Sequence, residues 1–252
     1  MGGAGHPVVL LHGILVSSWA WRFNLGPLSR DFRVMALCQK GHGWSGKGRD
    51  PYTFASLADF VLRFLDTLGI ERADLVGNSL GGGVSLRLAL DHPDRVRRLV
   101  LVNPAAVPFP VGDRFLRLQS ARLAPLYQAI GQRAVFQLLL RTLFYSNLAI
   151  DDAYMDGFMA PLRREDAMAA AVTTASNLQR GLRDLAPSLG RVRQPALIVW
   201  GRRDRLVGRR AISDLHSALP NAQLDVFDHC AHCPMEEDPE RFNRRVSDFL
   251  GA

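Results

Sequence analysis

The stretch LVGNSLGGG, residues 75–83, runs apolar residues into a polar Ser79 and then directly into three glycines. A strand that ends near Gly77 and a helix that begins near Leu80 leave Gly77-Asn78-Ser79-Leu80-Gly81 as the connection, with the spacing G-x-S-x-G. Small residues two before and two after a serine let the backbone reverse sharply from strand to helix, leaving the serine oxygen exposed at the end of a sheet. Glycine also collects at helix C-caps and in phosphate loops, so the spacing alone decides little. The reading turns on what the rest of the chain supplies to a serine that is to act as a nucleophile.

Outward from this turn, short apolar runs alternate with longer helical patterns, as in successive βα units. The runs predict strands at 8–11, 33–37, 73–77, 98–102, 196–200 and 222–227. Helices are expected near 18–30, over 53–68 and 80–91, near 209–218 and over 236–250. The alternation stops at Asn103-Pro104. From there to about 186 the pattern is helical, punctuated by prolines at 108, 110, 125, 161 and 187. The expected organisation is therefore a doubly wound α/β core from residues 1–104 and 187–252, with a mostly parallel sheet, interrupted by a helical cap at 105–186. Buried parallel strands require helices on both faces of the sheet, and functional residues then gather at the strands' carboxyl ends.

Composition narrows the class. The 252 residues are 48% hydrophobic, ample for a core and against disorder. No apolar run reaches the roughly 18 residues of a membrane span. The first residues, MGGAGHPVVLL, show no basic leader or cleavable apolar segment, so a cytoplasmic, soluble protein is expected. The net charge is +7, but 29 of the 31 basic residues are scattered arginines, only Lys40 and Lys47 being lysine. No basic block with interleaved aromatics is present, which argues against a nucleic-acid partner. Three cysteines, an odd number, argue for a reducing compartment rather than a disulfide framework. Cys230 and Cys233 flank His232 with C-x-x-C spacing, but no second pair completes a zinc site, so small apolar packing around the histidine is the expected role. The cap stretch AVFQLLLRTLFY, 134–145, suits packing onto a pocket better than contact with lipid.

A serine hydroxyl needs an adjacent base, and a histidine in that role needs a carboxylate to fix its tautomer. Asp204 follows the strand at 196–200 and His232 the strand at 222–227, in the order Ser79…Asp204…His232. Asp214, Asp225 and Asp228 compete with Asp204, which alone sits directly after a strand end. With VVLLHG, GHGWSGK, LVGNSLGGG, LIVWGRRDRLV and HCPMEEDPERFN in order between about residue 8 and 249, the chain resembles the serine hydrolases of the α/β-hydrolase superfamily. The resemblance implies Ser79 as nucleophile, His232 as general base and then acid, and Asp204 as the orienting acid. It implies an oxyanion hole from the backbone N–H groups of Leu80 and Ile14, and no metal or organic cofactor. His12 and His42 are expected to brace loops.

The serine at position 79 argues against the relatives that carry a carboxylate nucleophile, the haloalkane dehalogenases and epoxide hydrolases. The function implied is hydrolysis of an ester or similarly activated small-molecule carbonyl compound with an apolar part. The alternatives are a carbon–carbon bond hydrolase of ring-cleavage products, which GNSLGGG also resembles, and a non-catalytic ligand-binding protein of the same fold. The ring-cleavage branch usually carries an aromatic residue after the histidine, where this chain has Cys233. Cys38 replaces a usual aspartate and Ala231 a usual glycine. Two strands that usually precede the first are not evident, so 33–37 is expected at a sheet edge, with homodimer pairing as one outcome.

Overall fold

The computed structural model describes residues 1–108, 131–141 and 148–252. Six strands, β1 (Pro7–Leu11), β2 (Arg33–Leu37), β3 (Ala73–Asn78), β4 (Val96–Val102), β5 (Ala196–Gly201) and β6 (Ala222–Phe227), form one sheet in the order β2-β1-β3-β4-β5-β6. Every pairing is parallel. The sheet is covered by helices on both faces. β3 and β5 are buried along their whole length and β1 nearly so, which is why they read as continuous apolar runs rather than alternating ones. β6, at the edge, mixes exposed and half-buried positions.

β2 occupies the other edge, as expected from the sequence. Its outer side is partly taken: the N–H and C=O of Val34 both bond Gly2, at 2.8 and 3.0 Å. At the amino ends of the strands, fully buried Asp74 accepts two bonds from Arg97 Nε and one from its Nη2, at 2.6–3.2 Å. The same guanidinium donates to Leu250 O at 2.7 Å, tying the sheet to the carboxyl-terminal helix.

The chain from 18 to 30 departs from the continuous helix expected there. It forms a 3-10 turn, Ser18–Trp21, and a single helical turn α1, Leu25–Leu28. Pro27 has no N–H to give a carbonyl one turn back, so a helix begun at 18 cannot run through it. Helix α2 (Phe54–Thr67) opens on a reciprocal capping box between Thr53 and Ser56 and buries Phe54, Leu57, Ala58, Val61 and Leu65 on one stripe. Helix α3 (Leu80–Asp91) is buried almost all round. Glycines let it sit this deep, since a Cβ on Gly83 would lie 2.5 Å from Ala105 O and 2.6 Å from the Phe54 ring.

Between β4 and β5 the described residues are helical: α4 (Gln132–Leu139), α5 (Asp152–Met159) and α6 (Ala167–Leu185). Val135, Phe136 and Leu140 are buried, and the Phe136 and Phe158 rings lie 5.7 Å apart, so this face of 134–141 packs inward. Pro110, Pro125 and residues 142–145 of the apolar stretch lie outside the described residues. After β5 come α7 (Arg209–Ala218), a short α8 (Pro234–Glu237) and α9 (Pro239–Gly251), the last two separated at Asp238 because Pro239 starts a new helix. Among the described residues no helix is long and apolar enough to cross a membrane.

α9 is held by Phe242, fully buried with its ring 6.2 Å from Trp21. Truncation to Phe242→Ala is expected to lower the unfolding free energy by about 3–4 kcal/mol. Urea denaturation measures it, and a loss below about 1 kcal/mol would contradict this packing.

Candidate active site

Ser79 stands between β3 and α3 with φ 52° and ψ −115°, a backbone region that non-glycine residues rarely occupy. Such a conformation costs about 1–3 kcal/mol and persists only where its surroundings hold it. Here Ser79 N–H donates to Val102 O at 3.0 Å. Its carbonyl accepts from the N–H groups of Gly82, Gly83 and Ala105 at 2.9–3.3 Å. The flanking glycines are steric necessities: a Cβ on Gly77 would lie 2.4 Å from Gly81 O, and one on Gly81 2.2 Å from Leu11 O. The loop after β1 passes equally close, with a Cβ on Gly13 3.3 Å from Ser79 Cβ. That loop carries Ile14. Among the described residues, neither the Ile14 nor the Leu80 N–H donates to a protein acceptor.

Asp204 lies in the turn after β5 and is 8% exposed. Its two oxygens have different partners. Oδ1 accepts from the N–H groups of Leu206 and Val207 at 2.7 and 3.1 Å, and Oδ2 accepts from His232 Nδ1 at 2.8 Å. With Nδ1 as donor, the neutral ring carries its lone pair on Nε2. His232 is 1% exposed and lines a small cavity with Ser79, Ile14, Cys233, Met235 and Glu236. The structure thus brings Ser79, Asp204 and His232, along with Ile14 and Leu80, to the carboxyl ends of β1, β3, β5 and β6. The competing carboxylates lie elsewhere. Asp225 pairs with Arg241 and Arg245, Asp228 pairs with Arg202, and Asp214 is exposed.

Three residues not singled out from the sequence hold the His232 loop. Asn78 Nδ2 donates to His232 O at 3.1 Å and to Val102 O at 3.2 Å. Asn103, at φ 42°, donates from Nδ2 to Ala231 O at 2.7 Å and accepts from Gly201 N–H at 2.9 Å. Glu237 Oε1 accepts from the N–H groups of Ala231 and Cys233 at 2.7 and 3.4 Å. The signal for the two asparagines was their place closing an apolar strand, in VGN and in LVN, where a buried amide must find partners.

His12 and His42 have brace geometry. His12 Nδ1 donates to Gly13 O at 2.7 Å, its Nε2 accepts from Gln39 N–H at 3.1 Å, and Gln39 Nε2 donates to His12 O at 2.6 Å. His42 Nδ1 bonds Lys40 O at 3.0 Å. Burial pushes both imidazoles down to about 4. Burial likewise pushes the Cys230 thiol up to about 12, leaving it without thiolate character near neutrality. The Cys38 thiol donates to Ser18 Oγ at 3.3 Å and accepts from Ser18 N–H at 3.4 Å. Among the described residues no group of three His, Cys, Asp or Glu is placed to hold a metal ion.

The depressed histidines make stability depend on pH. The unfolded chain takes up these protons below about 6.5, whereas the folded chain does so only near 4, so stability falls as pH drops through that window. Each imidazole is expected to remove about 3 kcal/mol by pH 4. Urea midpoints between pH 7 and 4 should fall less steeply for His42→Gln than for the parent. An identical slope would contradict a buried neutral His42.

The profile of the alpha/beta hydrolase fold family matches residues 6–239. The 2-hydroxymuconate semialdehyde hydrolase of Pseudomonas putida is 33% identical over 255 residues, covering 98% of this chain and 88% of that protein. The structure of the meta-cleavage product hydrolase CumD superposes with a TM-score of 0.85 at 28% identity, covering 99% of this chain and 92% of that one. The enol-lactonase of Burkholderia xenovorans LB400 superposes with a TM-score of 0.82 at 25% identity, covering 99% and 93%. With its parallel sheet, its glycine-framed serine turn and a family match spanning nearly the whole length, the chain belongs to the α/β-hydrolase fold family.

Proposed function

We propose that this protein is a cofactor-free serine hydrolase in which Ser79 is the nucleophile, His232 the base and Asp204 the acid that orients it. The observation that carries the reading is the divided bonding of Asp204. One oxygen is fixed by two backbone N–H groups and the other holds His232 Nδ1 at 2.8 Å, while the ring lines the cavity that contains Ser79. In the cycle, His232 Nε2 takes the Ser79 hydroxyl proton as Oγ attacks the substrate carbonyl carbon. The oxyanion that forms is met by the N–H groups of Leu80 and Ile14, each worth about 3 kcal/mol in the transition state. Nε2–H then protonates the leaving alkoxide, and the ester bond breaks. A water deprotonated by the same nitrogen attacks the acyl-Ser79 carbonyl, and the second tetrahedral species collapses to acid and free serine. Asp204 stays ionised throughout and stabilises the imidazolium.

The substrate class in this reading is an ester or similarly activated carbonyl compound with an apolar part, supported by the apolar side chains of Ile14, Val16, Ala20 and Met235 around the cavity. A second reading, carbon–carbon bond hydrolysis of a ring-cleavage product, is supported by the name of the Pseudomonas putida relative. Comparison of kcat/KM on p-nitrophenyl esters and on a 2-hydroxy-6-oxo dienoate distinguishes the two.

On p-nitrophenyl butanoate, Ser79→Ala is expected to lower kcat at least about 1,000-fold, and Asp204→Asn about 1,000- to 10,000-fold by releasing the tautomer. Asn103→Ala, which frees the carbonyl beside His232, is expected to lower kcat about 100-fold with KM nearly unchanged. Turnover of Ser79→Ala within tenfold of the parent would refute the reading.

A further inference from the structure

A second cavity lies between the helical segment that joins β4 to β5 and the helices of the core. It holds about 280 Å³ and is walled by the start of α2, by α3 and by the second half of α6. Two contacts fix its walls. Asn177 Nδ2 donates to Pro51 O at 2.7 Å, tying α6 to the chain just before α2. Gly181 brings α6 onto the Phe54 ring, where a Cβ would lie 2.9 Å from Cδ2. The volume is close to the roughly 300 Å³ at which ligand pockets begin, so an occupant is small.

Charge singles this cavity out. Arg87 of α3 and Arg180 of α6 both line it, bringing two guanidinium groups from different elements to one space. Arg87 Nε donates to Asp91 Oδ2 at 2.6 Å, and among the described residues its terminal nitrogens have no protein acceptor. Arg180 makes no ion pair or hydrogen bond among the described residues. Asp184, one turn further along α6, also lines the cavity. That spacing suits an ion pair, yet the two side chains form none. Like charges gathered at one place repel unless an opposite charge lies between them. A guanidinium presents a planar fork of donors that matches a carboxylate. Phe54 and Leu185 give the same cavity apolar wall. None of Ser79, Asp204 and His232 lines it, and the hydrolytic cycle does not use it.

We propose that this cavity is a binding site for a small organic monoanion, a carboxylate with an apolar chain. The carboxylate accepts N–H bonds from Arg180 and from the terminal nitrogens of Arg87, and the chain lies against Phe54 and Leu185. Asp184 repels a second negative charge, which favours a monocarboxylate over a phosphate ester. The bound molecule joins α6 to α3 across the cavity.

Calorimetry with 4-methylpentanoate, 4-methylpentanamide and 3-methylbutyl phosphate tests this. The carboxylate is expected to bind at least about tenfold tighter than the amide or the phosphate. Arg180 is exposed, so Arg180→Gln should fold as the parent does while weakening carboxylate binding about tenfold. Arg180→Lys, which keeps the charge, should weaken it less, and Asp184→Asn should tighten it. Equal carboxylate binding by the parent and Arg180→Gln would place the ligand elsewhere, as in the Ser79 cavity, and overturn the proposal. Amide binding as tight as that of the carboxylate would leave apolar contact as the whole cause and overturn it too. Tightest binding by the phosphate, or no binding by the carboxylate, would do the same. None of these measurements involves turnover, so the assignment of Ser79 does not enter them.

Discussion

The structure depends on one strained residue. Ser79 holds a positive φ because the chain must pass from β3 to α3 without an intervening loop, and three backbone N–H groups converge on its carbonyl to keep it there. That turn forces α3 against the end of β1, where only glycine at 81 leaves room, and back against β3, where only glycine at 77 does. It forces the β1 loop to run beside the serine, bringing the Ile14 amide to the same end of the sheet as that of Leu80. The strain at Ser79 is offset by the buried parallel strands on either side, so stability of the sheet and exposure of the serine oxygen are linked.

The second constraint is the loop after β6. Its conformation is set by partners on three separate elements: Asn78 at the end of β3, Asn103 just past β4, and Glu237 on α8. The two asparagines are buried, and an amide there would cost about 1–3 kcal/mol if left without a partner; Glu237 is half-buried. The same bonds that satisfy these groups fix His232 against Asp204. Packing and site geometry therefore share residues, and a substitution at Asn103 is felt in both. The neutral, buried His12 extends this logic to the β1 loop, where its two ring nitrogens pin Gly13 and Gln39.

The strands were legible because buried parallel strands are short, apolar and bounded by glycine or proline; β2 and β6 fall on the residues expected, and the others extend by one or two. The edge position of β2 was implied by the resemblance to the family, not by the strands themselves. The helix expected near 18–30 is instead a 3-10 turn and a single helical turn, because Pro27 cannot sit inside a continuous helix. Ser79, Asp204 and His232 could be picked out since each sits just past a strand end in a local motif. Their supports could not. The bond from Asn103 to Ala231 spans 128 residues, that from Asn78 to His232 spans 154, and that from Arg22 to Glu236 spans 214. No local pattern encodes contacts of that range. Glu236 and Glu237 look equivalent in HCPMEED, yet one bonds the loop backbone and the other lines a cavity.

The central claim is that strain, base and oxyanion donors converge on one hydroxyl. Treatment of the intact protein with a fluorophosphonate, followed by peptide mass spectrometry, tests it most directly. The account predicts a single adduct on Ser79, formed much more slowly in Asp204→Asn, in which the histidine tautomer is no longer fixed. An adduct on another residue, or a folded protein that forms none, would contradict it.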